Sequence, residues 1–294
     1  MIATLCAALL IAAADTYPRP TELELERALP IEGLESAEPS GLALRNGELF
    51  TVSDNHDHFI YKIRIESERA VFEPAIPITV PAGARADFEG LVVDDAGDFY
   101  LASEAQFRIL HVPADGRRCK WITPNLKRAG EAASLFTFRG GYIEGVARID
   151  ATRFIVCAER QPRGLLYIDT ATSPQTVEVF VLNAPTIQPR GLRIPDFTDL
   201  CAFDGMVYAL ERNAEIISTV VRDKKRIDVK PWRSFREALD RPEYRYKDRR
   251  FGMAEGLALD ESRVYVVVDN NGNARESDAR DVRPVLFIFR RPQP

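Results

Sequence analysis

The chain has 294 residues, of which 46% are hydrophobic, 28% charged and 9% aromatic, a balance that excludes a disordered or fibrous protein. Its 39 lysines and arginines are outnumbered by 44 aspartates and glutamates, which gives a net charge of -5. An acidic chain lacks the positive field that gathers nucleic acid, so we expect no nucleic-acid partner.

The first segment of the chain, residues 2–14, is almost wholly apolar and ends in three alanines. This run is too short for a membrane span of roughly 20 residues, and its small-residue end is typical of a signal-peptide cleavage site. We therefore expect a signal peptide over 1–14 and a single domain over 15–294, periplasmic or secreted and without a membrane span. Because no Lys or Arg precedes the apolar run, a buried terminal segment stays the alternative.

A unit of two apolar strands, joined by a turn and followed by an acidic residue, occurs five times. The copies lie at 38–54, 87–104, 142–159, 196–211 and 253–269. Steps of 49, 55, 54 and 57 residues separate the aligned positions Gly41, Gly90, Gly145, Asp199 and Gly256. A period of roughly 50 residues is typical of propeller blades. Turns such as Asn46-Gly47 and Asp204-Gly205 favour hairpins within each unit.

Further strand patterns follow the hairpins and predict four-stranded blades. They lie at 59–63 and 71–80, 109–112 and 119–123, 165–168 and 177–182, and 216–221 and 227–229. The fifth unit has one more strand pattern, at 285–289, and an unassigned pattern lies at 22–31. We expect this N-terminal strand to complete the last blade, which closes an all-β, five-bladed β-propeller. The blades would lie near 38–85, 86–141, 142–195, 196–252 and 253–294, and a divergent sixth could lie only within 222–252.

In a propeller the innermost strand begins, and the second strand ends, on the same face beside the central channel. Nine acidic residues occupy these positions: Asp54, Glu89, Glu104, Glu144, Glu159, Asp199, Glu211, Glu255 and Asp269. Like charges about 4 Å apart repel by about 4 kcal/mol at an effective dielectric near 20, so such a ring requires cations.

Calcium suits such a ring, because Ca²⁺ takes oxygen ligands, whereas Zn²⁺ favours His and Cys. The expected calcium ligands are Asp54, Glu104, Glu159, Asp199, Glu211 and Asp269. Arg160 and Arg212 directly follow two of the acids, so bidentate arginine–carboxylate pairs are the internal alternative.

The motifs around these acids resemble a known family. They are SGLA with Ser53-Asp54, DFEG with Ser103-Glu104, EGVA with Ala158-Glu159, DFTDL with LERN, and EGLA with Asp269-Asn270-Asn271. Together they span about 38–272 and resemble the phytase-like family, also called esterase-like activity of phytase. The chain is less closely similar to the SdiA-regulated exported propellers, which share the SGL and EG openings. The resemblance implies a propeller fold and hydrolysis of ester or phosphoester bonds.

The residues themselves favour a metal-assisted reaction over a serine hydrolase, because the chain has no GxSxG motif and no Ser–His–Asp spacing. One of Glu89, Glu144 and Glu255 would act as general base on a cation-bound water. A small anionic or ester substrate would be bound by Arg160, Arg212, Arg250 and His56. The alternative is a non-catalytic propeller that binds a protein, a glycan or a small ligand and whose acidic ring is structural.

A basic segment at 222–250 contains twelve Lys or Arg and six Asp or Glu. It is interpreted either as a lid that draws anions towards the acidic face, with Arg245, Arg249 and Arg250, or as a solvated insertion with a short helix near 234–239. His111 lies in a strand pattern and is expected to be structural.

The cysteines that follow the leader, Cys119, Cys157 and Cys201, lack zinc-site spacing. Free, buried thiols at Cys157 and Cys201 are favoured over a disulfide. We expect a monomer.

Overall fold

The computed structural model describes residues 17–81, 85–223 and 226–293, and the expected signal peptide lies outside these ranges. Within the described residues the chain forms twenty strands and two short helices. No helix in these ranges is long and apolar enough to cross a membrane.

The strands occur where the sequence predicts them, with ends that differ by a few residues. In chain order they are β1 (Glu24–Glu32), β2 (Pro39–Arg45), β3 (Glu48–Ser53), β4 (Phe59–Ile65), β5 (Ala70–Pro77), β6 (Phe88–Val93), β7 (Phe99–Ser103), β8 (Arg108–Val112), β9 (Lys120–Trp121), β10 (Ile143–Arg148), β11 (Arg153–Ala158), β12 (Arg163–Asp169), β13 (Thr176–Leu182), β14 (Asp199–Phe203), β15 (Met206–Glu211), β16 (Ile216–Asp223), β17 (Arg226–Ser234), β18 (Ala254–Leu259), β19 (Arg263–Val268) and β20 (Val285–Arg290). The helices are α1 (Lys127–Ala132) and α2 (Arg236–Leu239).

The strands form three four-stranded sheets and one eight-stranded sheet. β6–β9, β10–β13 and β14–β17 each form an antiparallel sheet in sequence order, and the eight-stranded sheet has the order β18-β19-β20-β1-β5-β4-β3-β2. β1 pairs antiparallel with β20 from Glu24 to Pro30, so the predicted attachment of the N-terminal strand is confirmed. The last two residues of β1, Ile31 and Glu32, pair in parallel with β5 and join the two halves of the large sheet.

The innermost strands of the sheets, β2, β6, β10, β14 and β18, contact one another in order, and β18 contacts β2. The aligned glycines make this closure possible, because a Cβ on Gly41 would lie 2.8 Å from the Cα of Gly90, and one on Gly90 would lie 2.7 Å from the Cα of Gly145. A Cβ on Gly256 would lie 2.6 Å from the carbonyl carbon of Gly41. The all-β propeller architecture therefore depends on backbone contacts that a side chain would block.

The core lies between neighbouring sheets, where alternate strand residues point inward. Phe50 of β3 packs edge-to-face on Phe99 of β7, with ring centroids 5.3 Å apart, and Phe88 and Phe99 are fully buried. Cys157 is buried and Cys201 is partly buried, and both are free thiols, as expected. His111 lies in β8 and its Nε2 is 2.8 Å from Asp98, which confirms its structural setting.

The basic segment is not a single unit. Its first part forms the β16–β17 hairpin, in which Arg226, Asp228 and Lys230 are exposed along the outer strand of the sheet. Charged residues at a sheet edge discourage pairing with another chain. This explains the many charges in the first part of the segment, which forms neither a lid nor a sixth blade. α2 confirms the predicted short helix, and the arginines after it lie in a loop that leads to β18.

Candidate functional site

The acidic residues of the five units lie at equivalent positions on one face of the ring. In three units the acid that follows the second strand donates its backbone N–H to the carbonyl of a residue just before the first strand. These hydrogen bonds are Glu104 to Asp87 at 2.8 Å, Glu159 to Tyr142 at 2.9 Å, and Asp269 to Met253 at 2.9 Å. These equivalent bonds place the acids at the ends of the inner hairpins, beside the axis. We call this face the acidic mouth.

One half of the acidic mouth is neutralised by arginine. The Arg212 guanidinium contacts Asp196 through Nε at 3.0 Å, Glu255 through Nη1 at 2.5 Å, and Glu159 through Nη2. Arg160 also pairs with Glu159. Burial lowers the pKa of Arg212, but Glu255 and Asp196 outweigh it and raise that pKa above its usual value. Pairing of arginines with the acids is thus confirmed in this half, but each pair is a single nitrogen–oxygen contact and not the expected bidentate one, because Arg212 divides its nitrogens among three carboxylates.

Glu211 is held by a separate buried ion pair. Its carboxylate is 2.6 Å from Nη1 of Arg163, it accepts a hydrogen bond from Ser218, and both charged side chains are at most 2% exposed. Arg163 in turn lies over the ring of Phe197, 4.4 Å from its centroid. These contacts give Glu211 a structural role between the third and fourth units, because Arg163 begins β12.

Asp199 replaces the glycine of the fourth unit and joins three inner strands. Its Oδ1 accepts from the N–H of Leu200 at 2.8 Å, and its Oδ2 from those of Leu257 at 2.7 Å and Leu42 at 3.2 Å. Burial raises the pKa of this fully buried carboxyl well above its usual range, while the three amides lower it. Both oxygens therefore bind backbone groups, Oδ1 within its own strand and Oδ2 on the inner strands β18 and β2.

The other half of the acidic mouth has no such cations. In the ranges that the structure describes, Lys or Arg forms no ion pair with any of these five acids: Asp54, Glu89, Glu104, Glu144 and Asp269. We call them the unpaired acids. Burial is the main cause that raises the pKa of Asp54 to about 8 and the pKa values of Glu104 and Asp269 to about 7. Burial first, and then neighbouring carboxylates, raise the pKa values of Glu89 and Glu144 well above the usual range.

The acidic mouth contains some of the oxygen ligands that a metal ion would need, but not a complete set. Oδ1 of Asp54 is buried and has no hydrogen-bond partner among the described residues, so it is available as an oxygen ligand. Across the same residues, no group of three His, Cys, Asp or Glu side chains is arranged to hold a metal ion. A cation at the unpaired acids would need backbone carbonyls or water among its ligands.

The residues expected to bind substrate separate into three places. Arg160 and Arg250 line one cavity of about 840 Å³, whereas Arg212 is engaged by its three carboxylates. His56 lies in the β3–β4 loop, where its Nε2 is 3.0 Å from the carbonyl of Glu35. Arg245 contacts Glu276 at 3.8 Å.

Sequence reasoning missed Asp196, the third ligand of Arg212. Asp196 lies three positions before the aligned Asp199, where the first two units have Glu38 and Asp87. The repeated Asp-Phe pair at 87–88 and 196–197 was the available signal. The arginines at 190 and 193, which also line the cavity, lie in a linker between units and left no repeat signal.

Several solved structures match the chain at low sequence identity. Glutaminyl cyclase from Myxococcus xanthus matches with a TM-score of 0.51 and 13% identity, over 94% of this chain and 100% of that chain. Gluconolactonase from Xanthomonas campestris matches with a TM-score of 0.46 and 11% identity, over 87% and 73%. A catalytically inactive virginiamycin B lyase from Staphylococcus aureus matches with a TM-score of 0.42 and 11% identity, over 86% of this chain and 66% of the lyase.

No match was found among curated proteins. The family profile described as "Phytase-like: Esterase-like activity of phytase" matches residues 37–272, which is most of the chain and contains all nine acids of the repeat. The chain therefore belongs to the phytase-like family.

Proposed function

We propose that the chain is a five-bladed propeller whose acidic mouth hydrolyses ester or phosphoester bonds. The eight-stranded sheet divides at the two-residue pairing of β1 with β5, and each half then has four strands like the other three sheets. The family description supports an activity on esters. The observation that carries the reaction is the set of unpaired acids beside an arginine-lined cavity.

Glu89 and Glu144 are the proposed acid–base pair. They lie on adjacent inner strands, one residue before glycines so close that a Cβ on Gly90 would lie 2.7 Å from the Cα of Gly145. Glu144 is 8% exposed, and after burial Glu89 is the largest cause that raises its pKa. Two such carboxyls would share one proton, so that one could donate while the other accepts. Glu255, the third expected base, is engaged by Arg212 and is left out.

In the proposed reaction the unprotonated carboxylate takes a proton from water as the water oxygen attacks the carbonyl carbon or phosphorus. The bond to the leaving oxygen breaks, and that oxygen takes the proton of the second carboxyl. One proton has then been gained and one lost, so the pair again holds a single proton. The products are an acid and an alcohol.

Calcium is the proposed cation. At most two of Asp54, Glu104 and Asp269 would bind it directly, because no three acidic side chains of the described residues are arranged around one point, and backbone carbonyls or water would supply its other ligands. The buried, unpartnered Oδ1 of Asp54 supports this choice, whereas the expected ligands Glu159, Asp199 and Glu211 already bind arginines or amides. A bound cation would polarise the carbonyl or phosphoryl oxygen of the substrate.

The test is hydrolysis of p-nitrophenyl phosphate and p-nitrophenyl butyrate by the purified protein, with Ca²⁺ and with chelator. We expect Glu144→Gln and Glu89→Gln to lower kcat/KM by roughly a hundredfold with unchanged thermal unfolding. The matched control is Glu48→Gln, an exposed carboxylate paired with Lys62, which should stay within roughly twofold. Unchanged activity in both mouth variants would refute the roles, and no hydrolysis by the wild type would favour a binding propeller.

We also propose that the protein is exported as a monomer. The apolar run at 2–14 with its alanine end supports export. N-terminal sequencing of the secreted or periplasmic protein should begin near Asp15, and an intact N-terminus would contradict this. Size-exclusion chromatography with light scattering should give a mass near the 33.0 kDa of the full chain, less the leader.

A further inference from the structure

The cavity beside the acidic mouth is rich in arginine. Its volume is about 840 Å³, within the usual range for sites that hold small organic ligands. The lining residues that the structure describes include five arginines and no carboxylate: Arg160, Arg190, Arg193, Arg249 and Arg250. We call this space the arginine cavity. Arg160 joins it to the acidic mouth, because the same side chain pairs with Glu159.

The arginines at the back of the cavity outnumber the carboxylates that pair with them. Glu215 contacts Arg190 at 2.8 Å, Arg193 at 3.1 Å and Arg236 at 2.6 Å. Asp240 contacts Arg190, and also Arg249 at 2.6 Å. Two carboxylates thus pair with four guanidinium groups. The excess positive charge favours binding of an anion from solution.

Apolar side chains lie at the same cavity and stay in contact with water. Leu192, at the tip of the turn between Arg190 and Arg193, is 101% exposed, Phe251 is 53% exposed and Phe138 is 45% exposed. Apolar side chains grouped at a concave surface are typical of a ligand site. They would contact the apolar part of a ligand whose charged group meets the arginines.

We propose that the arginine cavity binds an organic anion in which a carboxylate or phosphate group is attached to an apolar body. This inference rests on the proposed function in one respect, since it names such anionic, apolar esters as the substrates of the acidic mouth. Binding itself needs no hydrolysis, so the two proposals can fail separately.

The test is calorimetric titration in chelator with two probes, phenyl phosphate and 3-phenylpropionate. Both should bind, inorganic phosphate should bind at least roughly tenfold more weakly, and neutral benzyl alcohol should show no binding, because charge and apolar surface are both required. Added salt should weaken the binding of both probes.

The variants are designed around a matched pair of exposed arginines. Arg250 is 80% exposed and pairs with Asp248 at 2.8 Å, and Arg280, outside the cavity, is 93% exposed and pairs with Asp278 at 3.4 Å. We expect Arg249→Gln combined with Arg250→Gln to weaken binding roughly tenfold, and Arg280→Gln to leave it unchanged. Arg250→Gln alone, which leaves the Asp240 pairs intact, should weaken it several-fold if the double variant unfolds.

Equal binding by the arginine variants and the wild type would overturn the proposal. So would binding to phosphatidylglycerol vesicles without binding to either soluble probe, which would make the cavity a membrane-docking surface. A third outcome separates the two proposals. If Glu144→Gln abolishes hydrolysis, Arg250→Gln does not change it and neither probe binds, the proposed function is supported and this inference is refuted. Probe binding without any hydrolysis would support this inference and refute the proposed function.

Discussion

Replacing Arg212 by methionine tests the ion-pair half of the acidic mouth. The side chain is 11% exposed and contacts Glu159, Asp196 and Glu255, which are all almost fully buried. Two of these acids keep another partner in the variant, since Glu159 pairs with Arg160 and Asp196 accepts the N–H of Asn213 at 2.9 Å. Glu255 has no second ion pair among the described residues.

The magnitude follows from the state that Glu255 must adopt. Protonating a glutamate with an ordinary pKa of about 4.3 at pH 7 costs about 4 kcal/mol, at about 1.4 kcal/mol per pH unit. This agrees with the loss of about 3–5 kcal/mol seen when one partner of a buried ion pair is removed. We therefore expect Arg212→Met to lower the free energy of unfolding by about 4 kcal/mol at pH 7.

The assay is urea unfolding at pH 5, 6.5 and 8. In the variant the folded-state pKa of Glu255 lies above its unfolded value, so stability decreases as pH rises between the two values. The loss should shrink to about 1 kcal/mol at pH 5, where protonation costs little. Arg280→Gln should cost less than about 0.5 kcal/mol. A loss below about 1 kcal/mol at pH 8, or one independent of pH, would refute the reasoning.

Three further results are expected. Asp199→Ala leaves two buried amides of neighbouring inner strands without an acceptor and should cost about 2–5 kcal/mol in urea unfolding; a neutral change would contradict the structural role. Glu211→Gln should cost about 3 kcal/mol through Arg163 but leave Ca²⁺ affinity by calorimetry unchanged, and a weaker affinity would return Glu211 to the metal site. Because the pKa values of Asp54 (about 8) and Glu104 (about 7) are raised, Tm without divalent ions should fall from pH 5 to pH 8, and Ca²⁺ should reverse part of the fall; equal Tm values would argue against buried, unpaired acids.

The fold was predictable because its repeat is periodic. Turn residues such as Asn46-Gly47, both with positive φ (52° and 78°), indicate the hairpins locally, and the unassigned N-terminal pattern has one vacant partner, β20. The parallel pairing of Ile31 and Glu32 with β5 covers two residues and leaves no periodic trace. Such a short ladder depends on how two neighbouring sheet edges meet in space.

The location of the acidic residues was predictable from the sequence, but their ion-pair partners were less so. The repeat places the acids on one face, but it does not specify which of them Arg212 contacts, because its partners lie 16, 43 and 53 residues away in sequence. Composition drew attention to 222–250, where Arg226, Lys230 and Arg233 belong to the edge strand β17. Arg190 and Arg193 lie in a short turn whose composition is unremarkable, and only the fold brings them to Glu215.

The asymmetry of the acidic mouth traces to one position of the repeat, the residue after the second acid: Asn55, Ala105, Arg160, Arg212 and Asn270. Cations at this position in two consecutive units neutralise their half and leave the other acids unpaired. Ala105→Arg should therefore extend the neutralised half, because Ala105 is exposed and follows Glu104 as Arg160 follows Glu159.

With a guanidinium beside it, Glu104 should lose the raised pKa of about 7 that burial gives it, since a nearby cation favours the charged form. Tm should then fall less from pH 5 to pH 8 than in the wild type, and Ca²⁺ should bind at least roughly tenfold more weakly by calorimetry, because the arginine replaces the ion. Ala105→Gln, similar in length but uncharged, should change neither quantity. If Ala105→Arg keeps the calcium affinity and pH response of the wild type, the residue after the acid does not determine which half of the mouth accepts a cation.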